Sequence, residues 1–515
     1  MSTLGKIHAE VINIYNTYNT PELHDKILEF IQKDLTDKLE SFLERKKRNE
    51  ILEINSNAYI NDFIVNSEMS YVFIPNSEIF ISYNGEHFKL INESEILHEI
   101  LSGISQHKDL LPWKYKIKNL IMKSIKEKTL FDIIPESHTI QFVLNHITPL
   151  ILDTKEEAKY FLTVLGDNIL KKNSDYTHLA DLQTRDFITN LEENVFHFFK
   201  NSYHINTTFK YNWHEHPYNK CRVFHFTKST SSPSCWRSFI KYHILDIIAV
   251  AVHYSNRYNS SEEYILSKFR GNPKLARVLF LKDQTTETLI HRFIEDKIVL
   301  VSDLTIKIGW KEMYFIWKMW LLDNEMPHIM FKNTIKEEIS KLLTYYPDEK
   351  SFGGATSNQL LFITNLKEFW TENIKTSQTD EFEISELCDI YNTWLEEKHT
   401  GKNETITEKN METLLEHFYS IKIEDTKIIK NLSCVLWDKQ GEMKIIIEDI
   451  KLSYKFYPGM YEKSIQNIYM EYCMKAKNKF DYKTVSKKYF EKYINQVIPD
   501  KYIKKKRILN DYWIN

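Results

Sequence analysis

Glycine and proline are scarce in this chain, at 11 and 12 among 515 residues. Glycine supplies left-handed turns and close approach of backbone to ligand. Proline ends helices. A chain so poor in both is expected to be mainly α-helical, with few tight turns and few phosphate-cradling loops. Its length suggests roughly three or four domains at about 150 residues each, and a hydrophobic share of 42% supplies several cores. Heavy use of Lys, Ile, Asn and Tyr fits an AT-rich coding genome before it signals any function.

The net charge of −3 provides no global field toward nucleic acid or membrane, so any such attraction must be local. Cys221, Cys235, Cys388, Cys434 and Cys473 have no paired spacing, which reads as a reduced, intracellular protein rather than a disulfide scaffold. The stretch MSTLGKIHAEVINIYNTYN has no apolar signal-peptide core. The most apolar run, MYFIWKMWLL, carries a lysine and is too short to span a bilayer.

Apolar spacing divides the chain into four regions. Residues 1–150 are helical, with Leu23, Ile27, Phe30, Ile31, Leu35, Leu39 and Phe42 at helical intervals. Near 71–91 two alternating runs flank Asn84-Gly85, predicting a β-hairpin with a two-residue type I′ turn. Residues 151–345 form a helical core region. Thr154 and Glu157 predict a capping box there, with Gly166 interrupting the helix. Residues 238–258 read as a buried helix, on which His243 and His253 are core histidines rather than ligands. Trp310, Met313, Trp317 and Trp320 form a core stripe. The turn-rich stretch 345–359 marks a boundary. Residues 360–455 follow the order helix, helix, hairpin of a winged-helix-like α+β module, with strands at KIIKNLSCVLW and EMKIII. Residues 456–515 form a basic helical tail.

The segment FKYNWHEHPYNKCRVFHF gathers His214, His216, Cys221 and His225 within a short span. Structural zinc sites place ligands in pairs with two to five residues between them, and this cluster lacks the paired CxxC. Its aromatic neighbours favour a packed core loop, and no metal or cofactor is assigned. Gly5-Lys6 and Gly401-Lys402 are followed by Ile7 and Asn403, neither of which supplies the magnesium-binding hydroxyl of a phosphate loop. GxGxxG, HExxH and GxSxG are all missing, so no enzyme class is indicated.

Several segments bear a family likeness. IFISYNGEHFKLINESEILHEIL resembles the hairpin-plus-helix region before the motor in the poxvirus-type primase-helicase family of large DNA viruses. EFEISELCDIYNTWLEE resembles the winged-helix region after that motor. AKYFLTVLGDNILKKN and CRVFHF resemble segments of giant-virus proteins of similar layout. The family's ATPase motifs are missing where they should lie, in 200–370. The resemblance therefore implies a viral, non-motor relative in the host cytoplasm or viral factory, and it transfers no catalytic residue.

Two roles follow as expectations. One is a non-enzymatic nucleic-acid-associated accessory protein of replication or gene expression. The other is a helical scaffold for protein partners in a viral transcription, mRNA or translation complex. Lys114, Lys116, Lys118, Lys123 and Lys126 lie on one basic amphipathic helix, which is either a solvated face or a phosphate-contacting one. Residues 475–507 hold twelve Lys/Arg against three acids, including Lys487, Lys488, Lys504, Lys505, Lys506 and Arg507. Tyr482, Tyr489, Tyr493 and Tyr502 interleave with them, and aromatics among cations favour single strands or RNA over duplex. If Tyr489, Phe490 and Tyr493 are instead a buried helix face, the lysines are only its wet side. Residues 380–420 hold eleven acids against three lysines, which suits a protein partner and repels phosphate. No membrane partner is expected. Purified protein is expected to hydrolyse neither ATP nor GTP above background; turnover abolished by a point mutation in this chain would overturn that expectation.

Overall fold

The chain is mainly helical, with small sheets. A computed structural model describes residues 2–67, 69–172, 175–211, 216–398, 405–421, 423, 427–456, 463–480 and 482–514. The chain divides into two compact units, 1–291 with 321–338, and 292–320 with 339–515.

The first unit opens with α1 (Thr3–Thr17) and α2 (Pro21–Glu29). A π-turn at Phe30–Asp34 leads into α3 (Leu35–Asn61), and a second follows at Asp62–Asn66. Glu29, Leu35 and Asp62 keep helical dihedrals at the junctions, so Pro21–Asn66 is one continuous helix about 70 Å long. Strands β1 (Ser70–Ile74), β2 (Ile79–Tyr83) and β3 (Phe88–Ile91) then form an antiparallel sheet in that order. The β2–β3 turn has four residues rather than the expected two. Asn84 Oδ1 accepts from the backbone N–H groups of Glu86 and His87, and only Gly85 of the pair takes positive φ.

Side chains alternate across a strand, and this sheet uses both faces. Tyr71 and Phe80 pack with α4 (Glu93–Gln106) and α5 (Lys114–Glu127) through Ile96, Ile100, Ile117 and Ile121. Leu52, Tyr59, Ile60 and Phe63 dock the far end of the long helix on that cluster. Val72, Ile74, Ile81 and Tyr83 face the larger core instead.

That core is built on α6 (Ser137–Ile147), α7 (Lys155–Ile169), β4 (Thr177–Leu179), α8 (Arg185–Phe199), α9 (Ile205–Thr208), β5 (Phe209–Lys210), β6 (Cys221–Val223), α10 (Pro233–Tyr258), α11 (Ser261–Lys268) and α12 (Pro273–Val278). β4 lies between β5 and β6, parallel to both. Thr154 and Glu157 form the capping box of α7. Gly166 does not interrupt α7; it lets the helix touch α10. A Cβ there would stand 2.1 Å from the Ala251 carbonyl oxygen. Asp167, beside it, is buried and accepts from Ser255 Oγ and from the Ser261 backbone N–H.

α13 (Thr286–Lys297) carries the chain into the second unit. There follow β7 (Val299–Leu300), β8 (Lys307–Gly309), α14 (Trp310–Asp323), α15 (Lys332–Leu342), β9 (Thr344–Tyr346), β10 (Ser351–Gly353), β11 (Ala355–Thr356) and α16 (Gln359–Asn373), the end of α14 and most of α15 belonging to the first unit. Met313, Trp317 and Trp320 of the tryptophan stripe are fully buried. The 345–359 stretch holds strands rather than a loose boundary, in a β8-β10-β9 sheet and a β11-β7 pair. β12 (Ile374–Glu383), α17 (Ile384–Lys398), α18 (Glu408–Tyr419), β13 (Ile428–Cys434) and α19 (Lys439–Phe456) come next. They are followed by β14 (Lys463–Ser464), α20 (Ile465–Lys475), α21 (Lys487–Val497), β15 (Ile503–Lys504), β16 (Arg507–Ile508) and α22 (Asn510–Ile514).

The helix pair expected at 384–419 is present as α17 and α18, but the hairpin after it is not. EMKIII lies inside α19, where Met443, Ile446, Ile447 and Ile450 are buried at helical intervals. Asp438 Oδ1 accepts from the Gly441 backbone N–H, opening this helix instead of closing a turn. β13 pairs antiparallel with β12, which precedes both helices. The tail also departs from all-helix, since 503–508 is a hairpin in a β14-β16-β15 sheet.

Gly166→Ala is expected to destabilise the protein by about 1–3 kcal/mol, the usual range for overpacking. On an open helix surface the same change stabilises by up to about 1 kcal/mol, so the sign is diagnostic. A denaturant midpoint equal to or above wild type would contradict the close α7–α10 crossing.

Candidate interaction surfaces

The least covered part of the first unit is its N-terminal arm. α1, α2 and the π-turn after them contain no buried residue. Yet Leu28, Phe30, Leu39, Phe42 and Leu43 are each 42–62% exposed. α1 folds back on α2, with the Tyr15 and His24 rings stacked 3.8 Å apart. Between the two lies an apolar groove of about 450 Å³ lined by Val11, Ile14, Leu23, Ile27, Ile31 and Leu35. The helical spacing of Leu23, Ile27, Ile31 and Leu35 was legible in the sequence; the groove they form with Val11 and Ile14 was not. Contiguous exposed apolar surface of this size is a candidate for association.

The five lysines assigned to one helix do lie on α5. Ile117, Ile121, Met122 and Ile125 face inward. Lys114 donates to Ser105 Oγ at 2.9 Å, and Lys116 sits over the Trp113 ring at 3.6 Å. Lys123 pairs with Glu127 and Lys126 with Glu93, both at 3.8 Å. Lys118 is half-buried. Exposed pairs of this kind are worth about 0–1 kcal/mol, so they exchange readily for other anions. Tyr115, 74% exposed among these lysines, is an aromatic that sequence reasoning passed over.

In the second unit the tail's cations separate into two groups. Lys487 and Lys488 lie on the exposed side of α21, Lys487 near Glu491 at 3.9 Å. Tyr489, Phe490 and Tyr493 are the buried side, with Phe490 packed on Tyr469 and Tyr472. Tyr489 and Tyr493 are therefore not placed to stack on bases, because the amphipathic helix needs them for its own core. Lys504, Lys505, Lys506 and Arg507 form the tip of the β15–β16 hairpin, all exposed. Lys505 and Lys506 both take positive φ, the conformation of a two-residue hairpin turn. Tyr502 stands beside this tip, half-buried, with Lys501 Nζ 4.8 Å above its ring.

The acidic stretch 380–420 meets the tail within this unit. Lys492 donates to Glu381 at 2.7 Å, and the Tyr489 hydroxyl donates to Asp380. Lys439, fully buried, pairs with Glu386 and donates to the Glu381 carbonyl at 2.9 Å. Phe382 and Tyr489 hold its ammonium at 3.9 and 4.6 Å from their ring centres. Burial lowers the Lys439 pKa, with Glu386 opposing. Part of the acidity therefore binds the protein's own tail.

The histidine-cysteine segment is not gathered into a ligand cluster among the described residues. His214 lies outside those residues. Cys221 is buried on β6 and its Sγ donates to the Pro217 carbonyl. Burial pushes its thiol up to about 11, away from the thiolate a metal needs, and burial lowers the His225 pKa. Next to Cys221, Arg222 is 1% exposed and grips Glu262 through two hydrogen bonds of 2.8 and 2.7 Å. A polar cavity of about 560 Å³ opens beside this pair. Lys220 and Lys172 on its wall are engaged by Asp175 and by the Ser255 and Asn259 carbonyls, so it presents a satisfied ion network. Among the described residues no helix is long and apolar enough to cross a membrane. No family model, curated protein or solved structure matches the chain.

Proposed function

We propose that the chain is an assembly protein whose N-terminal arm pairs antiparallel with the arm of a second copy, forming a helical scaffold in a viral replication or gene-expression complex. The uncovered apolar face of α1 to α3 carries this reading. Charge selects the partner and its direction. Residues 22–44 hold seven acids and three lysines, while Arg45, Lys46, Lys47 and Arg48 follow without an acid. Parallel pairing would set the four cations against their own copies. Antiparallel pairing about Leu39 sets them opposite residues 30–33, where Glu29 and Asp34 flank the single cation Lys33. Like charges in register repel and opposite ones attract, which fixes orientation in paired helices. The viral setting rests on the sequence resemblance alone.

Light scattering on the full chain at micromolar concentration is expected to give a dimer. Leu39→Glu with Phe42→Glu is expected to give a monomer with unchanged helicity, since neither side chain is buried. A wild-type monomer, or a double variant that stays dimeric, overturns the reading.

A second reading concerns single-stranded nucleic acid at the β15–β16 tip, favoured by four adjacent exposed cations. Each phosphate contact on a single strand contributes about −0.7 to the log–log salt slope, so three or four contacts give about −2 to −3. Lys505→Ala with Lys506→Ala is expected to weaken binding of a labelled single-stranded RNA and to flatten the slope by about 1.4. Affinity and slope unchanged in that variant would remove the tip as the site.

A further inference from the structure

The structure assigns a divalent transition-metal site to His87, His243 and Asp246 in the first unit. Sequence reasoning placed His243 in the core and did not single out the other two. His87 closes the β2–β3 turn, and Asp246 lies one turn after His243 on α10. His87 and Asp246 are 159 residues apart in sequence. Only the fold brings them together.

The three side chains converge on one point. His87 Nδ1 lies 2.9 Å from Asp246 Oδ2, and His243 Nδ1 lies 3.0 Å from the same oxygen. One ligand atom from each residue falls within 4.8 Å of the others. Ligands held about 2.1 Å from a metal lie about 3.0 Å apart at adjacent octahedral positions and about 3.4 Å apart on a tetrahedron. The two separations from the carboxylate match adjacent positions of the first kind. α10 also leaves helical geometry at His243, with φ −125° and ψ 18°. This local break accompanies the ring's approach to the carboxylate of its own helix.

The surroundings fit an open centre. Asp246 is 1% exposed, and its other oxygen accepts from the Phe88 backbone N–H at 2.8 Å, which fixes the carboxylate as outer hydrogen bonds do in metal sites. The two histidine side chains are 28% and 29% exposed, leaving solvent access. Phe142 closes one side, with ring centres 4.5 and 4.6 Å from His87 and His243. Two imidazoles and a carboxylate form a donor set of borderline character. It suits Zn²⁺, Fe²⁺ or Mn²⁺, and it leaves coordination positions for water or an oxygen-donor ligand. His146 is adjacent, but its Nδ1 lies 2.9 Å from the Phe142 carbonyl on its own helix, and it is not part of the set.

Chelator-treated full chain, titrated with Zn²⁺ alone, is expected to bind one ion per chain and to melt at higher temperature as the ion is added. Co²⁺ is expected to give visible bands characteristic of nitrogen and oxygen ligands. His87→Ala, in the β2–β3 turn, and Asp246→Asn, which keeps an acceptor for Phe88, are each expected to lower Zn²⁺ affinity at least tenfold. His146→Ala and Cys221→Ala are expected to retain it. Circular dichroism checks that each variant is folded, and His87→Ala decides the matter if Asp246→Asn is not. Failure of the wild type to bind Zn²⁺ or Co²⁺, or equal affinity in His87→Ala, would overturn the assignment and leave a hydrogen-bonded corner in which Asp246 accepts from both rings.

Discussion

The first unit depends on the contact of α7 with α10 at Gly166. Two helices approach this closely only where one side chain is missing, and here the Ala251 carbonyl occupies the space a Cβ would need. Close packing of backbones brings polar groups into the interior, and each must find a partner. Asp167 is paid for by Ser255 Oγ and the Ser261 N–H, despite a carboxyl pKa raised by burial. Lys172 satisfies the last carbonyls of α10. At its other half, α10 reaches the small sheet through Asp246 and the Phe88 N–H. One long apolar helix thus orders both the core and the histidine pair at its edge.

The second unit has a different keystone. A fully buried lysine would be costly without partners, because desolvation penalises its charge. Lys439 has Glu386, a backbone carbonyl and surrounding aromatic rings. Its partners come from β12, α17 and α21, so the ammonium links segments that local pattern could not have joined. Lys492 and Tyr489 extend the same logic to Glu381 and Asp380. Charge imbalance along the sequence is thereby partly neutralised inside the fold. The cations of the β15–β16 tip remain exposed and are better placed to meet an external anion than those of α21.

Against these satisfied interiors the N-terminal arm stands out. Its helices space apolar residues for burial, yet Leu28, Phe30, Leu39, Phe42 and Leu43 stay exposed. A surface of this kind and a charge pattern that disfavours parallel self-pairing together motivate the antiparallel scaffold. The His87, His243 and Asp246 cluster is independent of that reading and stands on ligand geometry.

Much of the local structure set within a turn or two was legible in the sequence, though the turns at Asn84-Gly85 and Asp438–Gly441 were not. The scarcity of glycine and proline led to helices, Thr154 and Glu157 to the start of α7, and the apolar run at 238–258 to the buried α10. The apolar stripe Ile117, Leu120, Ile121 and Ile125 led to the inward face of α5, although Leu120 stays exposed and Met122 is buried in its place. What the sequence did not disclose depends on partners far along the chain. EMKIII is short and apolar enough for strand or helix; burial of Met443, Ile446, Ile447 and Ile450 on one face decided for helix. β13 needed β12, more than forty residues upstream, to become a strand pair. Tyr489 and Tyr493 could be read either as stacking aromatics or as a buried helix face; their burial on α21 beside Phe490, which packs on Tyr469 and Tyr472, decided for the face. His87 acquires chemistry only beside Asp246. Periodicity and capping act through neighbours in sequence, whereas burial, ion pairing and ligand convergence act through neighbours in space, and only tertiary structure chooses those.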